Sequence, residues 1–143
     1  MTAVRVAFVG LKGGTGRTAV VATLSDSLTS ASHDVLAIDL DPQNALGTYL
    51  GMDPAETVGL VDPMVGTALV REVLETHEAS SPYVPFGKAP ATEVWRWVSS
   101  VADGSIALDE RLASLTPPRC ELVLHMNRGH AFIARVFVGW SLC

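Results

Sequence analysis

Apolar residues fill a short run near the start of the chain, with Val4, Val6 and Phe8 on one face and Ala7 and Val9 on the other. A strand apolar on both faces belongs inside a parallel sheet, so this run predicts a central strand. From Thr18 to about Ser30 the spacing changes, and Val20, Val21, Leu24 and Leu28 recur at helical intervals just after Gly16. His33 and Asp34 then lead into a second apolar strand, Val35 to Leu40, followed at once by acid. Strand, glycine loop, helix and strand within about 38 residues make a βαβ unit, for which a right-handed crossover is expected.

Beyond "DPQNALGTYLGMDP" the pattern weakens. Val65 to Glu75 reads as a helix, and "YVPFG", residues 83 to 87, as a short third strand cut off by Pro85 and Gly87. Glu93 to Ala102 and Leu108 to Leu115 follow with helical spacing, stopped by Pro117 and Pro118, and Glu121 to Leu124 gives a fourth strand. Trp95 and Trp97 flank Arg96 on the first of these helices, which puts one indole in the core and leaves the other partly exposed. No repeat, low-complexity tract or linker divides the chain, so residues 1–143 read as a single domain or part of one.

Composition narrows the partners. With 48% hydrophobic and 17% charged residues the chain can bury a core. Its 10 basic and 15 acidic residues give a net charge of −5, so it has no general attraction for nucleic acid or an anionic membrane, and any anion must be held by a local site. No secretory signal is expected at the N-terminus. The most apolar late segment, Ala131 to Cys143, is shorter than the roughly 20 residues a bilayer span needs, and it contains Arg135. A cytoplasmic protein without a transmembrane helix is expected, with Cys120 and Cys143 as free thiols.

The candidate chemistry lies in "LKGGTGRT", residues 11 to 18. Glycines at 13, 14 and 16 between a strand and a helix bring backbone N–H groups and the positive end of a helix dipole onto one anion. A phosphate loop also carries a cation for the β and γ phosphates, followed by a hydroxyl for Mg²⁺, and Arg17 and Thr18 fill those places. A dinucleotide turn is the second reading, since "GTGRTA" matches its glycine pattern and Asp39 follows 20 residues after Ala19. That turn would begin where the strand ends, whereas Gly10 to Gly13 intervene, and it has no use for Lys12 or Arg17. A corner that binds nothing is the third. The phosphate reading accounts for the most residues.

"KGGTGRT" followed by "LAIDLDPQNALGTYLG" resembles the MinD/ParA family of ATPases with a deviant Walker A motif, and within it the cellulose-synthase-associated BcsQ (YhjQ) branch. The resemblance is strong over about residues 1 to 60 and extends to about residue 124. It implies a P-loop NTPase fold, a three-layer α/β sandwich with a mainly parallel sheet, here incomplete. It also implies Mg²⁺ and ATP as cofactors, held by Lys12, Gly13, Gly14, Thr15, Gly16, Arg17 and Thr18. In this family a lysine placed like Lys12 reaches the phosphates of the partner across a nucleotide-sandwich homodimer. An acid placed like Asp41 positions the attacking water, and Asp39 and Thr18 serve the Mg²⁺ shell. Two carboxylates two residues apart at a strand end are expected on the same side, near the loop. Partners implied are a second copy and a membrane-associated cellulose synthase complex, with no specific nucleic acid. The other readings left open are a non-catalytic interaction module or truncated fragment and, further off, a Rossmann-type NAD-binding domain.

Three departures from the family pattern bear on turnover. Arg17 stands where the family has lysine, which keeps the charge but replaces a compact ammonium with a planar fork. The strand "ELVLH" continues with Met126 where a Walker B acid is expected, and His125 takes the place before it. Residues 125–143 diverge altogether, and the chain stops where the family continues; a reading-frame change or a truncated chain is expected, which the downstream nucleotide sequence would reveal. His125, His130, Cys120 and Cys143 lack the close-paired spacing of a zinc site. The tail "AFIARVFVGWSLC" has too little polar face for an interfacial helix.

Overall fold

The computed structural model describes residues 4–8, 14–52, 59–61, 81–108, 110, 112 and 121–125. In chain order these form β1 (Arg5–Phe8), α1 (Arg17–Ser30), β2 (Val35–Asp39), α2 (Ala45–Tyr49), β3 (Tyr83–Val84), α3 (Ala91–Ala102) and β4 (Glu121–His125), with Leu108, Glu110 and Leu112 also helical. The helix expected over Val65 to Glu75 and the tail beyond His125 lie outside the described residues.

The strands pair in the order β1-β4-β2-β3, and every pair is parallel. Thus β1, α1 and β2 are the expected βαβ elements, but the two strands are not neighbours. β4 lies between them, with Leu122 opposite both Arg5 and Leu36 and His125 opposite both Phe8 and Asp39. The expectation that β1 is buried on both faces needs correction. Among the described residues it has β4 on one side only, and Val6 is 40% exposed.

β2 is covered on both faces, all five of its residues being buried. Its alternation divides the core in two, because successive side chains leave opposite faces of a sheet. Val35 and Ala37 pack with Val21 and Ala22 of α1, Leu46, Leu50 and Tyr83. Leu36, Ile38 and Leu40 pack with Leu60, Val84, Phe86, Leu108, Leu112 and the α3 residues Trp97, Val98 and Val101. Helix, sheet and helix are the three layers. Each fully buried Val, Leu or Phe side chain contributes about 1.5–3 kcal/mol to holding them together.

α3 begins after Pro90, which leaves no side-chain cap, and carries Glu93 in its first turn. Its two indoles part as the spacing predicts: Trp97 is 7% exposed and meets Phe86 edge-on at 5.3 Å, whereas Trp95 is 64% exposed. On α1 Val21 is buried but Val20 is exposed, so the apolar stripe is narrower than the sequence implies.

Candidate functional site

β1, β2 and β4 end at the same level, because Phe8, His125 and Asp39 share one register. The carboxyl ends of parallel strands are where open α/β sheets bind their ligands. On one side of that edge stands the start of α1. Gly14 and Gly16 hold φ of 72° and 75°, and a Cβ on either would meet nothing within 4 Å. Glycine is needed there for the backbone turn, not for space. Gly16 is the N-cap, no side chain caps the helix, and its first turn holds no acid. A helix start left in this way presents N–H groups and positive potential to an approaching anion. Arg17 and Thr18 are half-buried in that first turn. Lys12 and Gly13 lie outside the described residues.

The opposite wall is the turn after β2. The two carboxylates take different parts in this turn. β2 ends at Asp39, yet Leu40 still packs with Leu36 and Ile38 on the face opposite Val35 and Ala37. Asp39 is 0% exposed: its Oδ1 accepts the N–H of Asp41 at 2.8 Å, and its Oδ2 accepts the N–H of Leu46 at 3.1 Å. Tyr83 Oη stands 3.5 Å from that Oδ2. Burial first, and then the charge on Asp39, push the ionisation of Tyr83 far above the ordinary phenol range, so the ring stays neutral. Asp39 thereby holds the 39–46 turn from inside.

Asp41 is 3% exposed yet lines the cleft. Its Oδ1 accepts the N–H of Gln43 at 3.0 Å, and its carbonyl accepts the N–H of Asn44 at 2.9 Å. The cleft between the walls has a volume of about 220 Å³ and is bounded by Gly14, Thr15, Gly16, Arg17, Thr18 and Ala19 on the loop side. Asp41, Gln43, Ala45 and Tyr49 bound it on the other. The structure therefore brings together Gly14 to Thr18 and Asp41, and sets Asp39 beneath them.

These residues fit a magnesium nucleotide. The αL glycines and uncapped helix suit phosphate oxygens, and the cleft's potential metal donors, the Thr18 hydroxyl and the Asp41 carboxylate, are the oxygen type that Mg²⁺ takes alongside phosphate and water. Among the described residues no three His, Cys, Asp or Glu side chains cluster for a metal.

Sequence reading missed Gln43, Ala45 and Tyr49 in the cleft wall, and it missed Asn44. Asn44 adopts φ 51° and pairs its side-chain amide with the backbone of Gly87: Nδ2 donates to Gly87 O at 2.7 Å, and Oδ1 accepts from Gly87 N at 3.0 Å. An Asn closing an acidic turn was the available signal, since Asn tolerates αL. Its partner 43 residues away was not readable.

Solved structures share this fold. Cobyrinic acid a,c-diamide synthase from Mycobacterium smegmatis, with bound ADP and magnesium, matches with a TM-score of 0.61 and 25% identity over 87% of this chain and 50% of that one. An ATP complex of Cyanothece McdA matches with a TM-score of 0.60 and 23% identity, over 92% of this chain and 52% of that one. A plasmid partition protein from Borrelia burgdorferi matches with a TM-score of 0.56 and 16% identity, over 96% and 62%. The fold is that of the ParA-like P-loop nucleoside triphosphatases. A protein assigned by name as replication protein A in Rhizobium rhizogenes is 38% identical over 61 residues, which is 43% of this chain and 15% of that protein. The model of the family described as cellulose biosynthesis protein BcsQ matches residues 1–127, and the chain belongs to that family. It spans about half the length of the first two solved structures and 15% of the replication protein.

Proposed function

We propose that the chain is the phosphate-gripping part of a BcsQ-family ATPase that binds Mg-ATP and switches by nucleotide-dependent homodimerisation. The observation that carries this reading is one cleft, with the uncapped start of α1 on one wall and Asp41 on the other. It is supported by the family match and by the Mycobacterium smegmatis synthase, solved with ADP or an ATP analogue together with magnesium.

Gly13, Gly14, Thr15 and Gly16 give the phosphates their backbone N–H groups, Arg17 supplies charge, and Thr18 offers its hydroxyl to the metal. Lys12 reaches across to the nucleotide of the second copy. Asp41 orients water toward the terminal phosphate, needing only to be ionised. Asp39 serves the metal indirectly, by holding the turn that carries Asp41. Mg-ATP itself supplies the cleavable phosphoanhydride and the charge that these groups recognise.

The partner in this reading is a membrane-associated cellulose synthase complex met from the cytoplasm, and residues 1–143 act as one domain or a part of one. Among the described residues no helix is long and apolar enough to cross a membrane. Turnover is slow, because Arg17 replaces the compact lysine. A second reading, a non-catalytic module that holds nucleotide weakly or not at all, is favoured by one further observation. β4 brings His125 level with Asp39, and the sequence continues with Met126 where the family pattern has an acid.

Calorimetric titration of the full chain with Mg-ATP and Mg-ADP, with phosphate release followed in parallel, separates the two. Micromolar binding with measurable release supports the ATPase; binding without release supports the module; no binding at millimolar ligand removes both nucleotide roles. Lys12→Ala is expected to abolish ATP-dependent dimerisation, read by light scattering. Dimerisation unchanged in that variant takes its assigned role away.

A further inference from the structure

The turn that carries Asp41 is tied at both ends, and the two ties differ in kind. At its start Asp39 accepts the N–H groups two and seven residues ahead, with the Tyr83 hydroxyl 3.5 Å from its Oδ2. At its far end the tie reaches 43 residues away, to Gly87 in the segment after β3. The Asn44 amide meets both the N–H and the carbonyl of Gly87, and only this orientation works, because a half-turn of the amide would set N–H against N–H and oxygen against oxygen. The segment it grips is itself braced from behind: Leu60 N–H donates to Pro85 O at 3.0 Å, and Val61 N–H to Phe86 O at 2.8 Å. Leu60, Val61 and Phe86 are buried in the core.

We propose that Asn44 is a positioning residue, which by gripping Gly87 fixes the carboxylate of Asp41 in the cleft wall before any nucleotide arrives. Residues 85–87 then act as the rigid post against which the cleft distinguishes a triphosphate from a diphosphate. This rests on the nucleotide reading only for that last consequence. The chain of contacts is continuous. Asn44 N–H closes the turn on Asp41 O, Gln43 N–H holds Asp41 Oδ1, and the amide of Asn44 anchors the whole turn to Gly87. A wall set in advance loses less on binding than one that must be ordered by the ligand.

Asn44→Gly tests this cleanly, because glycine keeps the αL backbone while removing the amide. In the nucleotide-free full chain, hydrogen exchange at the amides of Gln43, Asn44, Leu46 and Gly87 should quicken about tenfold in the variant, while α1 and α3 exchange at the parent's rate. With nucleotide, the preference for Mg-ATP over Mg-ADP should fall about fivefold to tenfold, the size of one or two net hydrogen bonds, while Mg-ADP affinity stays within about twofold. Unchanged exchange in the turn overturns the proposal, and so does an equal loss of affinity for both nucleotides, the mark of general destabilisation. A parent chain that binds neither nucleotide overturns the nucleotide reading instead, and the exchange result alone then decides whether Asn44 positions the turn.

Discussion

Both carboxylate oxygens of Asp39 are turned inward onto backbone N–H groups, so its charge is used within the fold. Asp39→Asn keeps the shape but puts an NH₂ group against one of those donors. It is expected to cost about 1–3 kcal/mol of stability, the price of a buried polar pair set donor to donor, seen as a lower urea midpoint at unchanged slope. Tyr83 gives a contrasting case. Its hydroxyl stands a long 3.5 Å from Asp39 Oδ2, so Tyr83→Phe should cost less than about 1 kcal/mol near neutral pH. At alkaline pH the balance reverses. Burial and the neighbouring carboxylate keep Tyr83 protonated in the folded chain, whereas in the unfolded chain it ionises near the ordinary phenol value of about 10. The folded state then binds more protons than the unfolded one, so the contribution of Tyr83 is complete below about pH 10 and declines as pH rises further. Urea midpoints at pH 8 and pH 11 should differ more in the parent than in Tyr83→Phe, and equal differences would show that the ring is not shielded.

At the scale of elements, the strength of the site lies in how loops lean on one another. Gly59 sits so close to the segment after β3 that a Cβ there would overlap Gly87 N, Pro85 O and Phe86 C, all backbone atoms with no room to retreat. Gly59→Ala should therefore cost about 1–3 kcal/mol or more, and thermal unfolding should show it directly. This contact also marks how far the sequence could be read. The loop, α1, β2, β3, α3 and β4 were legible because each carries a local signature: glycine spacing, a helical stripe, an apolar run, a proline stop. Asp41 as a wall of the cleft was legible from the resemblance. The two backbone N–H groups that Asp39 accepts were not, since they depend on the path the chain takes from Asp41 to Leu46. Asn44 on Gly87 and Gly59 against Pro85 were not legible either, because long-range backbone contacts leave no periodic trace. β1 looked central from its composition and stands at the end of the described order, since apolar content tells how a strand can be buried and not which strands flank it.

At the scale of the whole molecule, β4 holds the sheet together, because it bonds β1 on one side and β2 on the other. A chain ended at Pro118 retains the loop, α1, β2 and α3 but removes the partner of both strands. It is expected to lose its cooperative urea transition, and a sigmoidal transition followed by circular dichroism would show that β1 and β2 manage without it. The same placement governs how the protein comes into being on the ribosome. Strands one place apart are separated by about 10 Å, so β1 and β2 leave a vacant lane between them when they first emerge. From Asp39 to Glu121 the numbering advances by 82, which at roughly 5–20 residues per second is about 4–16 s of synthesis. For that interval two unsatisfied strand edges face each other across a gap shaped for a strand, and a newborn chain of this kind depends on being shielded from its neighbours until its own late strand slides in.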